Sequence, residues 1–172
     1  MSTRTAAWFV VLLTLSVSAC AGTPRYTAGA GAFHGEEATF KPPADDSPAE
    51  GTESWQPLYS GLLGTPYVRG GSTPRGFDCS GLVGYVYRSY DGRQLPRTVS
   101  ALYGWGHSIS RADLKTGDLV FYNTSGRGPS HVGIYLWGDT FLHASRSEGV
   151  ILSRLGEQYY AQRYMGARRL SD

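Results

Sequence analysis

Apolar side chains recur at three- and four-residue steps in the first part of the chain that follows residue 53. Residues 55–63 have this spacing, which predicts a short amphipathic helix. Residues 82–90 repeat it and predict a buried helix that begins at Cys79 and is ended by Gly92. Thr98 has the character of an N-cap and predicts a third short helix that runs through Trp105. The first part of the domain is therefore expected to be helical.

The second part has a different pattern, in which short β-branched or aromatic runs are separated by Gly, Asn, Ser and Asp. A loop is predicted at residues 68–74, where Gly, Ser, Thr and Pro cluster. Helices that precede an antiparallel sheet indicate an α+β fold with the helices packed on one face of the sheet. The predicted strands are residues 118–122, 131–136, 140–145 and 150–152, with a closing strand within 163–170.

The beginning of the chain has the character of an export signal. Residues 1–19 combine a short positive start with an apolar stretch that is too short for a comfortable membrane span. The small residues before Cys20 resemble the lipobox of bacterial lipoproteins, which implies cleavage before this cysteine and attachment of lipid to its sulfur. Because Ala21 follows, the resemblance also implies a bacterial cell envelope location, anchored on the periplasmic face of the outer membrane. The alternative is an ordinary secretory signal with a chance cysteine.

The remaining chain divides into a tether and one domain. Residues 20–52 are rich in Ala, Gly, Pro and Thr, which predicts a flexible tether with a reach of roughly 30 Å. Residues 53–172 suffice for one compact domain. The whole chain has 16 basic and 14 acidic residues, so its net charge of +2 gives no support to a nucleic-acid partner. Arg168-Arg169 is interpreted as a solvated strand edge.

The chain has two cysteines. If Cys20 carries lipid, Cys79 is left as a free thiol. With Asp78 as N-cap, Cys79 takes the first position of its helix, where unpaired N–H groups and the helix dipole favour a thiolate. Comparable sites lower a thiol pKa from ~8.5 to between ~3.5 and ~7.5. Gly81 and Gly84, both poor helix formers, suggest the close approach of another backbone. The alternative is a buried hydrophobic cysteine at the start of a core helix.

His131 opens one predicted strand, and His143 lies twelve residues later in the next one. The loop between the strands decides whether the two rings can meet. A three-residue loop, Trp137-Gly138-Asp139, places them on one face, roughly 7–8 Å apart at Cβ. A two-residue loop at Gly138-Asp139 places them on opposite faces. We predict the three-residue loop.

This combination suggests nucleophilic catalysis on a carbonyl. Cys79 attacks, His131 takes and later returns the proton, and His143 orients the His131 ring. The backbone N–H of Cys79 is a natural oxyanion donor. Three candidate ligands without a close-spaced pair do not match a zinc-site spacing, so no metal and no cofactor are expected.

Six motifs in this order extend over the domain and resemble the NlpC-type cell-wall cysteine endopeptidases, a papain-like bacterial family. The resemblance is closest to small lipoprotein members that have an N-terminal tether and no accessory targeting domain. The motifs are Thr65-Pro66-Tyr67-Val68-Arg69-Gly70-Gly71, Phe77-Asp78-Cys79-Ser80-Gly81-Leu82-Val83, Leu95-Pro96-Arg97-Thr98, Thr116-Gly117-Asp118-Leu119-Val120-Phe121, Ser130-His131-Val132-Gly133-Ile134-Tyr135 and Phe141-Leu142-His143-Ala144-Ser145.

The resemblance implies a papain-like fold and hydrolysis of amide bonds in peptidoglycan stem peptides, with the same cysteine and two histidines as the triad. It also implies that Tyr67, Asp78 and Ser80 line the cleft, where Tyr67 serves the oxyanion or a substrate contact and Asp78 meets a substrate amine. Arg97 is interpreted as structural. Val68-Arg69 stands where many members carry an aromatic residue, which leaves the shape of one cleft wall open.

The bond that is cleaved stays open between two family activities. Some members cut the cross-link between D-alanine and diaminopimelate, which we favour on architecture alone, and others cut between D-glutamate and diaminopimelate. The expected partners are stem peptides and, through lipid on Cys20, a membrane, while a regulatory protein, proteolysis and access along the tether are open means of control. Two other readings remain: a papain-like amidase or acyltransferase with another substrate, and a non-catalytic wall-binding lipoprotein.

Overall fold

The computed structural model describes residues 54–170, so the signal, lipidation and tether expectations for residues 1–52 lie outside the described part of the chain. The apolar spacing that predicts helices near the start of the domain is confirmed, although the first helix is shorter than predicted. The third begins after its predicted N-cap Thr98 but ends at Tyr103 rather than Trp105. Within residues 54–170 no helix is long and apolar enough to cross a membrane. The helices are α1 (Gln56–Ser60), α2 (Cys79–Asp91), α3 (Val99–Tyr103) and α4 (Gln158–Ala161).

The predicted antiparallel sheet is present and has six strands in the order β3-β8-β4-β5-β6-β7. Each strand pairs antiparallel with its neighbours, and the closing strand β8 inserts between β3 and β4. The α+β fold class is therefore confirmed. The strands are β1 (Ser72–Thr73), β2 (Gly76–Phe77), β3 (His107–Ile109), β4 (Leu119–Tyr122), β5 (His131–Trp137), β6 (Thr140–Ser145), β7 (Gly149–Arg154) and β8 (Tyr164–Arg169).

The loop prediction for residues 68–74 is wrong in part. Ser72 and Thr73 pair with Phe77 and Gly76 in a small hairpin made of β1 and β2. A two-residue strand is too short to show an alternating pattern, so the Gly- and Pro-rich composition hides it. Strand β3 and helix α4 escape prediction for the same reason, because each spans only three or four residues.

Both faces of the sheet are covered. On one face, Leu82, Val83 and Val86 of α2 are buried in a core that includes Ile134 of β5 and Leu142 of β6. A second core on the other face contains residues that alternate with these along the strands, namely Val120, Tyr122, Tyr135 and Phe141, together with Leu155 and Ala167. Since the strands are buried on both sides, their sequences read as continuous apolar runs.

The turn between β5 and β6 differs from the prediction. Trp137 pairs with Thr140, so the loop has two residues, Gly138 and Asp139, and the three-residue prediction is wrong. A β-bulge lies between Tyr135 and Trp137, after which Ile134 pairs with Leu142. The bulge adds one residue to β5. Beyond the bulge, the two strands therefore pair in the register that a three-residue loop would give. His131 and His143 therefore still share one face.

Arg169 does not belong to a solvated strand edge, which corrects that interpretation. Its guanidinium donates to both carboxylate oxygens of Asp118, at 2.8 and 2.7 Å. Asp118 is 2% exposed and also accepts from the backbone N–H of Lys115. The ion pair links the last strand to the start of β4. The guanidinium of Arg169 also compensates the charge of the buried Asp118 carboxylate.

Candidate active site

Helix α2 presents Cys79 as its first residue. The N-cap is Asp78, which has an extended backbone and whose Oδ1 accepts from the N–H of Gly81 at 2.7 Å. The cap satisfies one of the otherwise unpaired N–H groups at this helix end. The predicted placement of Cys79 at a helix N-terminus is thus what the structure shows, and its side chain is buried.

The first turn of α2 lies against the backbone of Gly71. The N–H of Asp78 donates to the carbonyl of Gly71 at 3.0 Å. A Cβ built on Gly81 would lie 2.0 Å from that carbonyl oxygen, so only glycine fits there. The suggested close approach is therefore present at Gly81. It is wrong for Gly84, where an added Cβ would meet nothing within 4 Å.

The side chain of Arg97 is hydrogen-bonded to the first turn of α2. Its guanidinium donates to both oxygens of Asp78, at 2.7 and 3.0 Å, and to the hydroxyl of Ser80. Ser80 is buried and donates to the carbonyl of Arg97 at 2.8 Å. Burial pulls the pKa of Asp78 upward, but the hydrogen bonds from Arg97 and Gly81 outweigh it and hold that pKa below its usual value. The carboxylate and its helix cap are therefore stable near neutral pH.

The two histidine rings meet directly. Nε2 of His131 lies 3.0 Å from Nδ1 of His143, and the ring planes are almost perpendicular, at 86°. His143 is held by Phe141, whose ring stacks on it with centroids 4.8 Å apart. Because Nε2 of His131 is engaged with His143, Nδ1 is the ring nitrogen that remains for the thiol.

Two hydroxyl groups continue this chain beyond His143, and sequence reasoning missed both. Nε2 of His143 lies 3.0 Å from Oγ of Ser153 and 3.2 Å from the hydroxyl of Tyr160. A His131 ring that accepts a proton on Nδ1 carries its own on Nε2 and donates it to His143, so His143 must carry its proton on Nε2. Ser153 and Tyr160 supply the acceptors for that proton. The sequence carried no signal for either residue, because the strand predicted at residues 150–152 ends before Ser153, and Tyr160 lies on α4, which was not predicted.

Burial dominates the protonation of all three groups. It lowers the pKa of His131 to about 4, and together with the neighbouring His131 it lowers the pKa of His143 to about 3. Burial also raises the pKa of the Cys79 thiol, against the opposing hydrogen bond from the N–H of Val132. The prediction of a lowered thiol pKa is therefore wrong. The resting site holds a neutral thiol and neutral imidazoles, and the Val132 contact places the sulfur one residue from His131 along β5.

The labelling of Cys79 by iodoacetamide should follow this raised pKa. Only the thiolate reacts, so the rate constant should rise about tenfold per pH unit between pH 6 and 8.5 without reaching a plateau. The measurement is the pseudo-first-order labelling rate by mass spectrometry, with the Cys79→Ala chain as the blank. A plateau already reached at pH 7 would show a thiolate–imidazolium pair and contradict the dominance of burial.

Tyr67 lies close to the thiol, on the segment that precedes the β1–β2 hairpin. Its backbone forms an isolated parallel bridge with Phe77, two residues before Cys79. Burial raises the pKa of the Tyr67 hydroxyl, and a charge on Cys79 raises it further. The guanidinium of Arg146 lies 5.8 Å from the Tyr67 ring centroid. The hydroxyl is therefore protonated near neutral pH and available as a donor.

A pocket of about 470 Å³ opens beside the histidine pair. His131 and His143 form one wall, and the turn that connects β6 to β7 forms another through Arg146 and Glu148. Tyr160, whose hydroxyl lies 3.2 Å from Nε2 of His143, also lines the pocket. Among residues 54–170 there is no group of three or more Cys, His, Asp and Glu side chains that could hold a metal ion.

The matching family model is that of the NlpC/P60 family, and it covers residues 64–169, which is more than half of the chain. The chain therefore belongs to the NlpC/P60 family. A crystal structure of an NlpC/P60 family protein from Bacillus cereus superposes with a TM-score of 0.61 at 30% identity, over 69% of this chain and 39% of that one. The expected papain-like fold is confirmed by this likeness.

Two relatives with named activities match the same domain. The murein DD-endopeptidase MepS/murein LD-carboxypeptidase of Escherichia coli K12 is 45% identical over 112 residues, which cover 65% of this chain and 59% of that protein. The gamma-DL-glutamyl hydrolase of Bacillus subtilis is 45% identical over 112 residues, which cover 64% of this chain and 27% of that protein. The chain thus spans about three fifths of the first relative and about a quarter of the second.

Proposed function

We propose that the protein is a peptidoglycan endopeptidase that hydrolyses amide bonds of stem peptides through Cys79, His131 and His143. The observation that carries the proposal is the 3.0 Å contact between the two histidines, next to a thiol at a helix N-terminus. The name of the Escherichia coli relative, a murein DD-endopeptidase, supports this substrate class.

The proposed reaction starts from a neutral thiol and a neutral His131. His131 takes the thiol proton as the sulfur attacks the carbonyl carbon, and the backbone N–H of Cys79 and the Tyr67 hydroxyl donate to the developing oxyanion. The C–N bond then breaks, the amine leaves with the proton from His131, and a thioester remains on Cys79. Water attacks the thioester and gives a proton to His131, and the C–S bond breaks as the thiol regains that proton. His143 keeps the His131 ring in the required tautomer.

The residues of the first α2 turn support this chemistry in the proposal. Asp78 caps the helix, and its carboxylate, already shared with Arg97, contributes negative charge for a substrate amine. Ser80 positions Arg97 against that carboxylate. We favour the D-alanyl-diaminopimelate cross-link as the bond cleaved, on the architecture of the chain and because the Escherichia coli relative is named as a DD-endopeptidase. The D-glutamyl-diaminopimelate bond is the second candidate.

The proposal places the domain in the bacterial cell envelope. Lipid on Cys20 would anchor the chain to a membrane, and residues 20–52 would let the domain reach stem peptides some distance from the lipid. The periplasmic face of the outer membrane remains the expected location.

The deciding experiment is digestion of purified, cross-linked peptidoglycan by the full chain in detergent, with Cys79→Ala as the matched control. We expect cross-linked dimers to fall to monomers in mass spectra, only when Cys79 is present. Fragments that end after D-glutamate would instead assign the second bond. A folded wild-type chain that gives no Cys79-dependent product would contradict the proposal and favour another amide substrate or a binding role.

A further inference from the structure

The leaving fragment of the substrate must lie on the histidine side of the thiol, because His131 donates the proton to the departing amine. The pocket beside the histidines is lined by His131 and His143 but by no residue of α2. It therefore lies where the amine side of the scissile bond departs, rather than where the acyl side is held.

The charges in this pocket are arranged asymmetrically. Arg146 lies beside Tyr67, since its guanidinium is 5.8 Å from the centre of that ring. Tyr67 in turn lies close enough to Cys79 for a charge on the sulfur to add to the effect of burial in raising the Tyr67 pKa. Glu148 and Glu157 lie toward Tyr160, whose pKa both carboxylates raise. An anionic group would be repelled from the side of Glu148 and Glu157 and attracted to Arg146.

The position of Arg146 is set by a rigid turn. Ser145 pairs with Gly149, so the β6–β7 turn has three residues. Gly149 has a positive φ of 78°, and an added Cβ would lie 2.3 Å from the carbonyl oxygen of Thr65. The N–H of Val150 donates to that same carbonyl at 2.8 Å. The turn that carries Arg146 is thus fixed to the segment that leads to Tyr67.

The positive charge of Arg146 is not neutralised by a salt bridge within residues 54–170. No carboxylate within residues 54–170 forms a salt bridge with its guanidinium, whereas the carboxylate of Glu157 already accepts from the backbone of Arg154. A guanidinium is well suited to a carboxylate because its planar donors match the two oxygens.

We propose that Arg146 is a specificity residue that binds a carboxylate on the carbon bearing the scissile nitrogen. This inference rests on the proposed function and deepens it. In the D-alanyl-diaminopimelate cross-link, that carbon carries a free carboxylate beside the amide. In the D-glutamyl-diaminopimelate bond of a longer stem, the corresponding carboxyl is tied up in the next amide, and the free carboxylate lies at the far end of the side chain. Because Arg146 lies beside Tyr67, which is close to the thiol, it selects the cross-link in this proposal.

The test compares two cross-linked muropeptide dimers that differ only in this carboxylate, which is free in one and amidated in the other. The full wild-type chain should cleave the free form with a kcat/KM about tenfold higher, the value of one charge-assisted hydrogen bond in a partly solvated pocket. Arg146→Gln should remove the preference, mainly through a higher KM for the free form. Arg127→Gln, which removes the same charge from an exposed loop outside the pocket, should keep it.

The outcomes separate this inference from the proposed function. Equal cleavage of both dimers by the wild type would overturn the role of Arg146 and leave the endopeptidase intact. The same would follow if Arg146→Gln slowed both reactions equally at an unchanged melting temperature. Failure of the wild type to cleave either dimer would overturn the endopeptidase proposal and this inference together.

Discussion

Replacement of His131 by alanine is expected to lower kcat/KM for muropeptide hydrolysis by about a thousandfold, within the range that general acid–base catalysis contributes. The neutral thiol of the resting site has a raised pKa, so it cannot attack at neutral pH unless a base takes its proton. In the proposed mechanism His131 is that base, and it also protonates the departing amine. Steady-state kinetics on a purified cross-linked dimer measure the loss of kcat/KM. The Cys79→Ala chain, which lacks the nucleophile, gives the background rate.

His143→Ala should lower kcat/KM less, by about a hundredfold, because in the proposed mechanism His143 orients the base without exchanging a proton with the substrate. His143→Gln should recover part of this loss, since an amide oxygen can accept from Nε2 of His131. His107→Ala changes an exposed histidine on β3 and serves as the control. Nearly full activity of His143→Ala would contradict the orienting role that the 3.0 Å contact supports.

The sequence predicted correctly that the two histidines share one face of the sheet, but it did so from a wrong loop length. The alternation of side chains along β5 and β6 correctly indicates that loop length sets their relative faces. The true loop has two residues, and the β-bulge between Tyr135 and Trp137 supplies the missing shift. A bulge has no reliable signature inside a continuous apolar run, because every position of such a run suits either face. The prediction of the face was right, and the prediction of the turn was wrong.

The protonation state of the thiol could not be predicted, for a different reason. The Asp78 cap and the position of Cys79 follow from local sequence, and both are present. The depth of burial depends on how β5 and the Tyr67 segment close over the helix end, which is a tertiary property. Desolvation raises a thiol pKa while helix N–H groups lower it, and here burial is the larger effect. Ser153 and Tyr160 were missed for the same reason, as they reach His143 from separate elements.

Gly81 and Gly84 show the same limit within one helix. A glycine in a helix indicates either a close contact or a position that tolerates it, and the sequence does not distinguish the two. The structure does, because a Cβ at Gly81 would lie 2.0 Å from the backbone oxygen of Gly71 and a Cβ at Gly84 would lie in open space. The two positions therefore form a matched pair for testing how the nucleophile is held.

Gly81→Ala is expected to lower the free energy of unfolding by about 3 kcal/mol, the upper end of the usual cost of overpacking, because backbone atoms rather than a flexible side chain must move. The displaced turn carries the Asp78 cap and Cys79, so activity should fall even in the fraction that remains folded. Gly84→Ala should instead stabilise the domain by ~0.5–1 kcal/mol, the helix preference of Ala over Gly, with activity unchanged. Urea unfolding of both variants measures the difference. Equal stability of the two would show that the Gly71 backbone yields to the new methyl group, and the nucleophile would then not depend on that contact for its position.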